Sequence, residues 1–280
     1  MRVGFHVSIQ GSIDKAVERA LELSCNTFQL FTRNPRQWTP KRLTTEEVKA
    51  FVEKVKHSDV RPVFGHVPYL PNLASPRDDV YEKSVQVLVS ELERCRRLKI
   101  PYLVSHLGSH LGAGMRIGFR RIINAINKAF EVSNGGVMLL LENTAGTRNS
   151  MGGSFEDIRY IIKRISHTER VGICFDTCHA FAAGYDLRTQ RTVEETTKKL
   201  EATIGFEKLR LVHLNDSLGG LNSRRDRHEH IGMGKIGDEG FRSILHSRLG
   251  NVPLILETPR DARRDDVENL MKVRELADGF

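Results

Sequence analysis

Imidazole and carboxylate groups close a series of apolar runs along this chain. His66 ends 62-PVFGH-66, His106 ends 101-PYLVSH-106 and Glu142 ends 137-VMLLLE-142. Asp176 ends 171-VGICFD-176 with His179 just beyond it, His213 ends 209-LRLVH-213, and Glu257 ends 252-VPLILE-257. The stretch 226-DRHEH-230 adds Asp226 and His228, two positions apart and able to share a face. A carboxylate set among buried apolar residues is costly unless it is paired. Four carboxylates and five imidazoles gathered in one place demand strong positive charge, and the ends of these runs carry almost no Arg or Lys. Divalent cations meet that demand. Imidazole mixed with carboxylate suits zinc, whereas magnesium and calcium prefer all-oxygen shells; manganese or iron is admissible at some positions. Nine donors exceed the shell of one ion and suit three, with a carboxylate shared between two of them.

The elements that must position these groups are legible as a pattern. Eight short apolar runs, 2–9, 25–31, 62–69, 101–108, 137–144, 171–178, 209–216 and 252–259, are nearly continuous in apolar residues, as parallel strands covered on both faces would be. Amphipathic helical patterns lie between and after them, at 12–23, 44–56, 78–98, 116–132, 154–165, 190–204, 238–249 and 263–277. Ser12 is the expected cap of the first, and Thr44 with Glu47 has capping-box spacing at the start of the second. Eight strands each followed by a helix give an α/β chain folded as a (β/α)8 TIM barrel, expected as a single catalytic domain over 1–280; an open doubly wound sheet is the alternative. In such a barrel the carboxyl ends of the strands form one mouth, so the donor groups above would converge there. Strand alternation places Cys174, Asp176 and Cys178 on one face, and both cysteines read as small buried fillers rather than ligands. His6 faces the same mouth as a supporting residue, His57, His167 and His246 read as spectators, and His110 and His230 stay unassigned.

Composition narrows the classes. A chain of 280 residues buries a large core without staples, and its four scattered cysteines make no disulfide framework. No window approaches a membrane span and the N-terminus lacks the apolar stretch of a signal peptide, so a cytoplasmic protein with no membrane partner is expected. The net charge of +8, from 43 Lys and Arg against 35 Asp and Glu, favours a polyanionic partner. No exposed apolar stripe suggests self-association, and a monomer is expected.

The segments 66-HVPYLPNLA-74, 141-LENT-144, 172-GICFDTCH-179, 213-HLNDS-217, 226-DRHEHIGMG-234 and 256-LETP-259 together resemble those of the endonuclease IV family, zinc-dependent apurinic/apyrimidinic endonucleases of base-excision repair. The resemblance runs over essentially the whole chain, with departures at Pro71, Leu107 and Leu218 that remove no ligand. It implies three zinc ions: one on His66, His106 and Glu142; a second on Glu142, Asp176, His213 and Glu257; a third on His179, Asp226 and His228. It further implies hydrolysis of the phosphodiester 5′ to an abasic site in damaged double-stranded DNA, with Glu142 and Glu257 as the carboxylates touching both metal and nucleophile. Arg36, Tyr69 and Leu70 match residues that contact or wedge the DNA as the abasic nucleotide swings out. A metal-dependent sugar isomerase or epimerase would use similar strand ends but about four or five ligands, leaving Asp226, His228 and His179 surplus. A metal-stabilised DNA-binding module leaves unexplained why the ligands gather at the catalytic end of a barrel.

Overall fold

The structure, a computed structural model, describes residues 1–279. Eight parallel strands close into a barrel: β1 (Val3–Val7), β2 (Phe28–Phe31), β3 (Val63–His66), β4 (Tyr102–Ser105), β5 (Met138–Glu142), β6 (Val171–Asp176), β7 (Leu209–His213) and β10 (Leu254–Leu256), the last pairing with β1. Each strand is shorter than its apolar run, because the run continues into the loop that leaves the mouth. The helices α1 (Lys15–Glu22), α2 (Thr45–Lys56), α3 (Asp78–Arg97), α4 (Met115–Val132), α5 (Phe155–Ile162), α7 (Gln190–Thr203), α8 (Gly237–Leu245) and α9 (Asp266–Asp278) fall where helical periodicity places them. Thr44 and Glu47 form the expected capping box on α2. Ser12 does not cap α1: the chain makes a turn first, and Asp14 holds the cap position without a side-chain bond.

Two elements have no counterpart in the periodicity. The short helix α6 (Thr177–Ala183) follows β6 with no loop, because the Asp176 carboxylate accepts the backbone N–H of His179 at 2.7 Å and turns the chain. It stops at Gly184, whose φ of 107° is open to glycine at little cost. Cys178 therefore lies on this helix and not on the strand face shared by Cys174 and Asp176. A two-stranded hairpin, β8 (Asp216–Ser217) with β9 (His228–Glu229), rises from the end of β7.

One layer of the barrel interior is Phe64, Val104, Leu140, Cys174, Leu211 and Ile255. Successive side chains on a strand alternate between faces, so the residue two further along points inward again. Those residues are His66, His106, Glu142, Asp176, His213 and Glu257. Strand alternation alone lifts all six onto one polar layer above an apolar plug. His6 of β1 and Gln29 of β2, paired in register, extend that layer through the remaining two strands. Among the described residues, no helix is long and apolar enough to cross a membrane.

Candidate metal centre

The nine side chains meet at the mouth. His66, His106 and Glu142 form one group, Glu142, Asp176, His213 and Glu257 a second, and His179, Asp226 and His228 a third, the donor atoms of each lying within 4.8 Å of one another. Glu142 belongs to two groups because its oxygens face opposite ways. Its Oε2 is 3.2 Å from His66 Nε2 and 3.1 Å from His106 Nε2, while Oε1 is 3.1 Å from His213 Nδ1. His213 Nδ1 also lies 3.4 Å from Glu257 Oε2. Asp226, brought over by the hairpin, stands 3.1 Å from His179 Nε2 and 3.8 Å from His228 Nε2.

Ring orientation is fixed from outside the cluster. His66 Nδ1 donates to the carbonyl of Val67 at 2.7 Å, His179 Nδ1 to that of Asn143 at 3.0 Å, and His228 Nδ1 to that of Glu257 at 3.0 Å. In each ring this commits Nδ1 outward and leaves Nε2 as the nitrogen turned inward, the arrangement a metal ligand requires. His228 Nε2 is buried with no hydrogen-bond partner. Asp176 is held by Asn215 Nδ2, 2.8 Å from its Oδ2, while Asn215 Oδ1 accepts the backbone N–H of Glu257 at 2.8 Å.

Among the described residues, every ion-pair partner of the four carboxylates is a histidine. The electrostatics follow. Burial opposes charge on Glu142, yet His106 and His213 hold it well below the usual carboxylate range. Glu257 is lowered against the same burial penalty by His213 and His6, and Asp226 is brought to about 2 by His179. Burial likewise opposes protonation of His106, His179 and His213, and the neighbouring carboxylates outweigh it. The nitrogen–oxygen donor set, the shared carboxylate and the orphaned His228 Nε2 fit zinc.

Residues 17–276 match the xylose isomerase-like TIM barrel family. The probable endonuclease 4 of Methanoculleus marisnigri is 56% identical over 277 residues, covering 98% of each chain. The crystal structure of endonuclease IV from Thermus thermophilus superposes with a TM-score of 0.88 at 36% identity, covering 99% of both chains. The chain belongs to the endonuclease IV family. A D-tagatose 3-epimerase-like protein superposes with a TM-score of 0.75 at 21% identity, a likeness of fold alone.

In this endonuclease IV family member the mouth opens into a cavity of about 940 Å³, lined among others by His6, Arg36, Tyr69, His106, Asp226 and Arg260. Arg36 is exposed, and Tyr69 is 69% exposed with its ring edge-on to Phe31 at 5.0 Å. Leu70 is half-buried and stands outside that lining. His6 reaches Glu257 Oε1 with Nδ1 at 3.0 Å, in the supporting place expected of it. Cys174 and Cys178 are buried, and burial pushes both thiols up to about 12. Cys178 Sγ is nonetheless within ligand reach of Asp176 and His228. His110 receives the backbone N–H groups of Gly112 and Gly114, and His230 is buried against Asp261 and Asn269, so both serve loops. Sequence reasoning missed Gln29, Asn143 and Asn215. The two asparagines follow a donor within LENT and HLND, and Gln29 interrupts an apolar strand at an inward position; those were the available signals.

Proposed function

We propose that this protein hydrolyses the phosphodiester on the 5′ side of an abasic site in duplex DNA, leaving a 3′-hydroxyl and a 5′-deoxyribose phosphate, on three zinc ions held by the three donor groups. One observation carries the reading: three convergent donor groups, two of them sharing Glu142, more ligands than a one- or two-ion sugar enzyme uses. Kinship with the probable endonuclease 4 of Methanoculleus marisnigri and the Thermus thermophilus endonuclease IV supports it. When bound, the ions would supply Lewis acidity at phosphorus, an acidified water and countercharge for the departing 3′ oxygen.

The chain's own residues do the rest. Glu142 turns one oxygen toward His66 and His106 and the other toward His213, so it would be a ligand shared by two of the donor groups. Glu257, held through Oε1 by Gln29 and His6, keeps Oε2 toward His213 and the centre. On this reading these two carboxylates would touch both metal and attacking water. Arg36 and Arg260 on the cavity wall offer phosphate contacts. Tyr69, with Leu70 behind it, is the wedge that fills the stack as the abasic nucleotide swings into the mouth. An abasic sugar has no base edge, so selection rests on the fit of the mouth. On the same reading the enzyme acts as a monomer on damaged double-stranded DNA in the cytoplasm.

The test is incubation with a duplex carrying a single abasic site, with and without a chelator. Chelator-sensitive nicking 5′ to that site, with an extendable 3′ end, is the expected result. Intact DNA alongside turnover of a ketose would replace this reading with a sugar epimerase.

A further inference from the structure

Gln29 is a fully buried amide in the middle of a barrel strand, and it touches two of the proposed zinc ligands at once. Its Nε2 lies 2.8 Å from Glu257 Oε1, and its Oε1 lies 2.9 Å from His213 Nε2. The orientation of such an amide follows from its partners. Glu257 is anionic and accepts only, so the NH2 end must face it; a flipped amide would set two oxygens against each other. His6 Nδ1 approaches the same Glu257 oxygen at 3.0 Å, so two nitrogens converge on Oε1. The Gln29 carbonyl is thereby directed at His213, where it can only accept. His213 must carry a proton on Nε2, so Nδ1 is the nitrogen it can offer to a metal, on the side where Glu142, Asp176 and Glu257 stand.

His213 differs from the other oriented rings. His66, His179 and His228 give their outer N–H to backbone carbonyls, which no substitution removes. Only His213 of these four relies on a side chain, and it is Nδ1 rather than Nε2 that it turns toward the carboxylates of its own donor group. We infer that Gln29 is a positioning residue of the metal centre, selecting the His213 tautomer and holding Glu257 so that both present a donor to the same ion. The inference rests on the proposed reading of these residues as ligands, and it adds a member that touches no ion itself.

Gln29→Leu keeps the approximate volume and removes both bonds. In equilibrium dialysis against buffered zinc, one of three ions should bind about 10- to 100-fold more weakly in Q29L, with the other two unchanged. Nitrogen-15 histidine spectra of the zinc-loaded wild-type protein should show His213 with a metal-bound Nδ1 and a protonated, exchange-protected Nε2. Unchanged zinc isotherms in a folded Q29L, or a metal-bound Nε2 on His213, would overturn the assignment. Should Q29L fail to fold, the wild-type spectrum decides alone. A wild-type protein that takes up no zinc would instead remove the proposed function, and this assignment with it.

Discussion

Two chemically similar carboxylates in this mouth have separable duties, and Glu142 is the one whose loss should be most costly. Its two oxygens serve two donor groups, and an amide cannot replace them, since its NH2 end would face either His213 or the His66–His106 pair as a donor. Glu142→Gln should lower kcat by about 10³-fold or more, because on the proposed mechanism positioning and charge stabilisation at phosphorus would both pass through that carboxylate. Bound zinc should fall below the wild-type value while thermal unfolding stays cooperative; steady-state nicking assays paired with elemental analysis would check both. Full activity in E142Q would refute the bridging role. At this scale the sequence was most informative where burial is most expensive. A charge at the end of an apolar strand needs a reason, so His66, Glu142, Asp176, His213 and Glu257 stood out. Gln29 did not, because an uncharged amide in a strand costs far less and resembles any polar interruption. Cys178 was placed on the wrong element for a related reason: the Asp176 carboxylate, read only as a metal donor, also starts a helix.

The barrel strands and their helices were legible because each buries a stripe or face that leaves a period in the sequence. The α6 helix and the β8–β9 hairpin were not, since they are made by hydrogen bonds to single side chains. Asp216 shows how. Its carboxylate accepts backbone N–H groups from Ser217 and Ile236 on Oδ1 and from Gly232, Gly234 and Gly237 on Oδ2. A side chain at Gly234 would collide with that carboxylate, which accounts for the glycine there. The turn so formed anchors the segment that delivers Asp226 and His228 to the third donor group. Asp216→Asn would swap one acceptor oxygen for an NH2 that confronts either set of N–H donors. It should cost roughly 3 kcal/mol of stability, the scale of a buried charged acceptor lost from its donors. It should also release the zinc ion of the His179 group first. Urea unfolding and zinc titration would measure the two effects, and a variant with unaltered third-site affinity would show that the hairpin holds its shape without Asp216.

For the molecule as a whole, the same cluster makes stability depend on pH in opposite senses with and without metal. Without ions, His106, His179 and His213 are raised above the ordinary imidazole range despite burial, which favours their neutral forms, because carboxylates surround them. A raised imidazole lends stability that is fully present below its unfolded value, near 6.5, and is lost as pH climbs through the folded one. Glu142, Glu257 and Asp226 are lowered despite burial, and lend stability that is present above the unfolded carboxylate range and lost as pH falls through their folded values. The metal-free protein should therefore be most stable between about pH 5 and 6.5 and weaken toward pH 8.5. Zinc needs neutral imidazoles, so on the proposed reading its binding would expel those ring protons and tighten as pH rises, and a ligand confined to the folded state stabilises it in proportion to RT ln(1 + [L]/Kd). The gap between the Tm values of zinc-loaded and chelated protein should widen steadily from pH 5.5 to 8.5. Differential scanning fluorimetry across that range is sufficient to see it. A gap that stays constant or narrows would mean that zinc does not displace these protons, and that the histidines of the mouth are not its ligands.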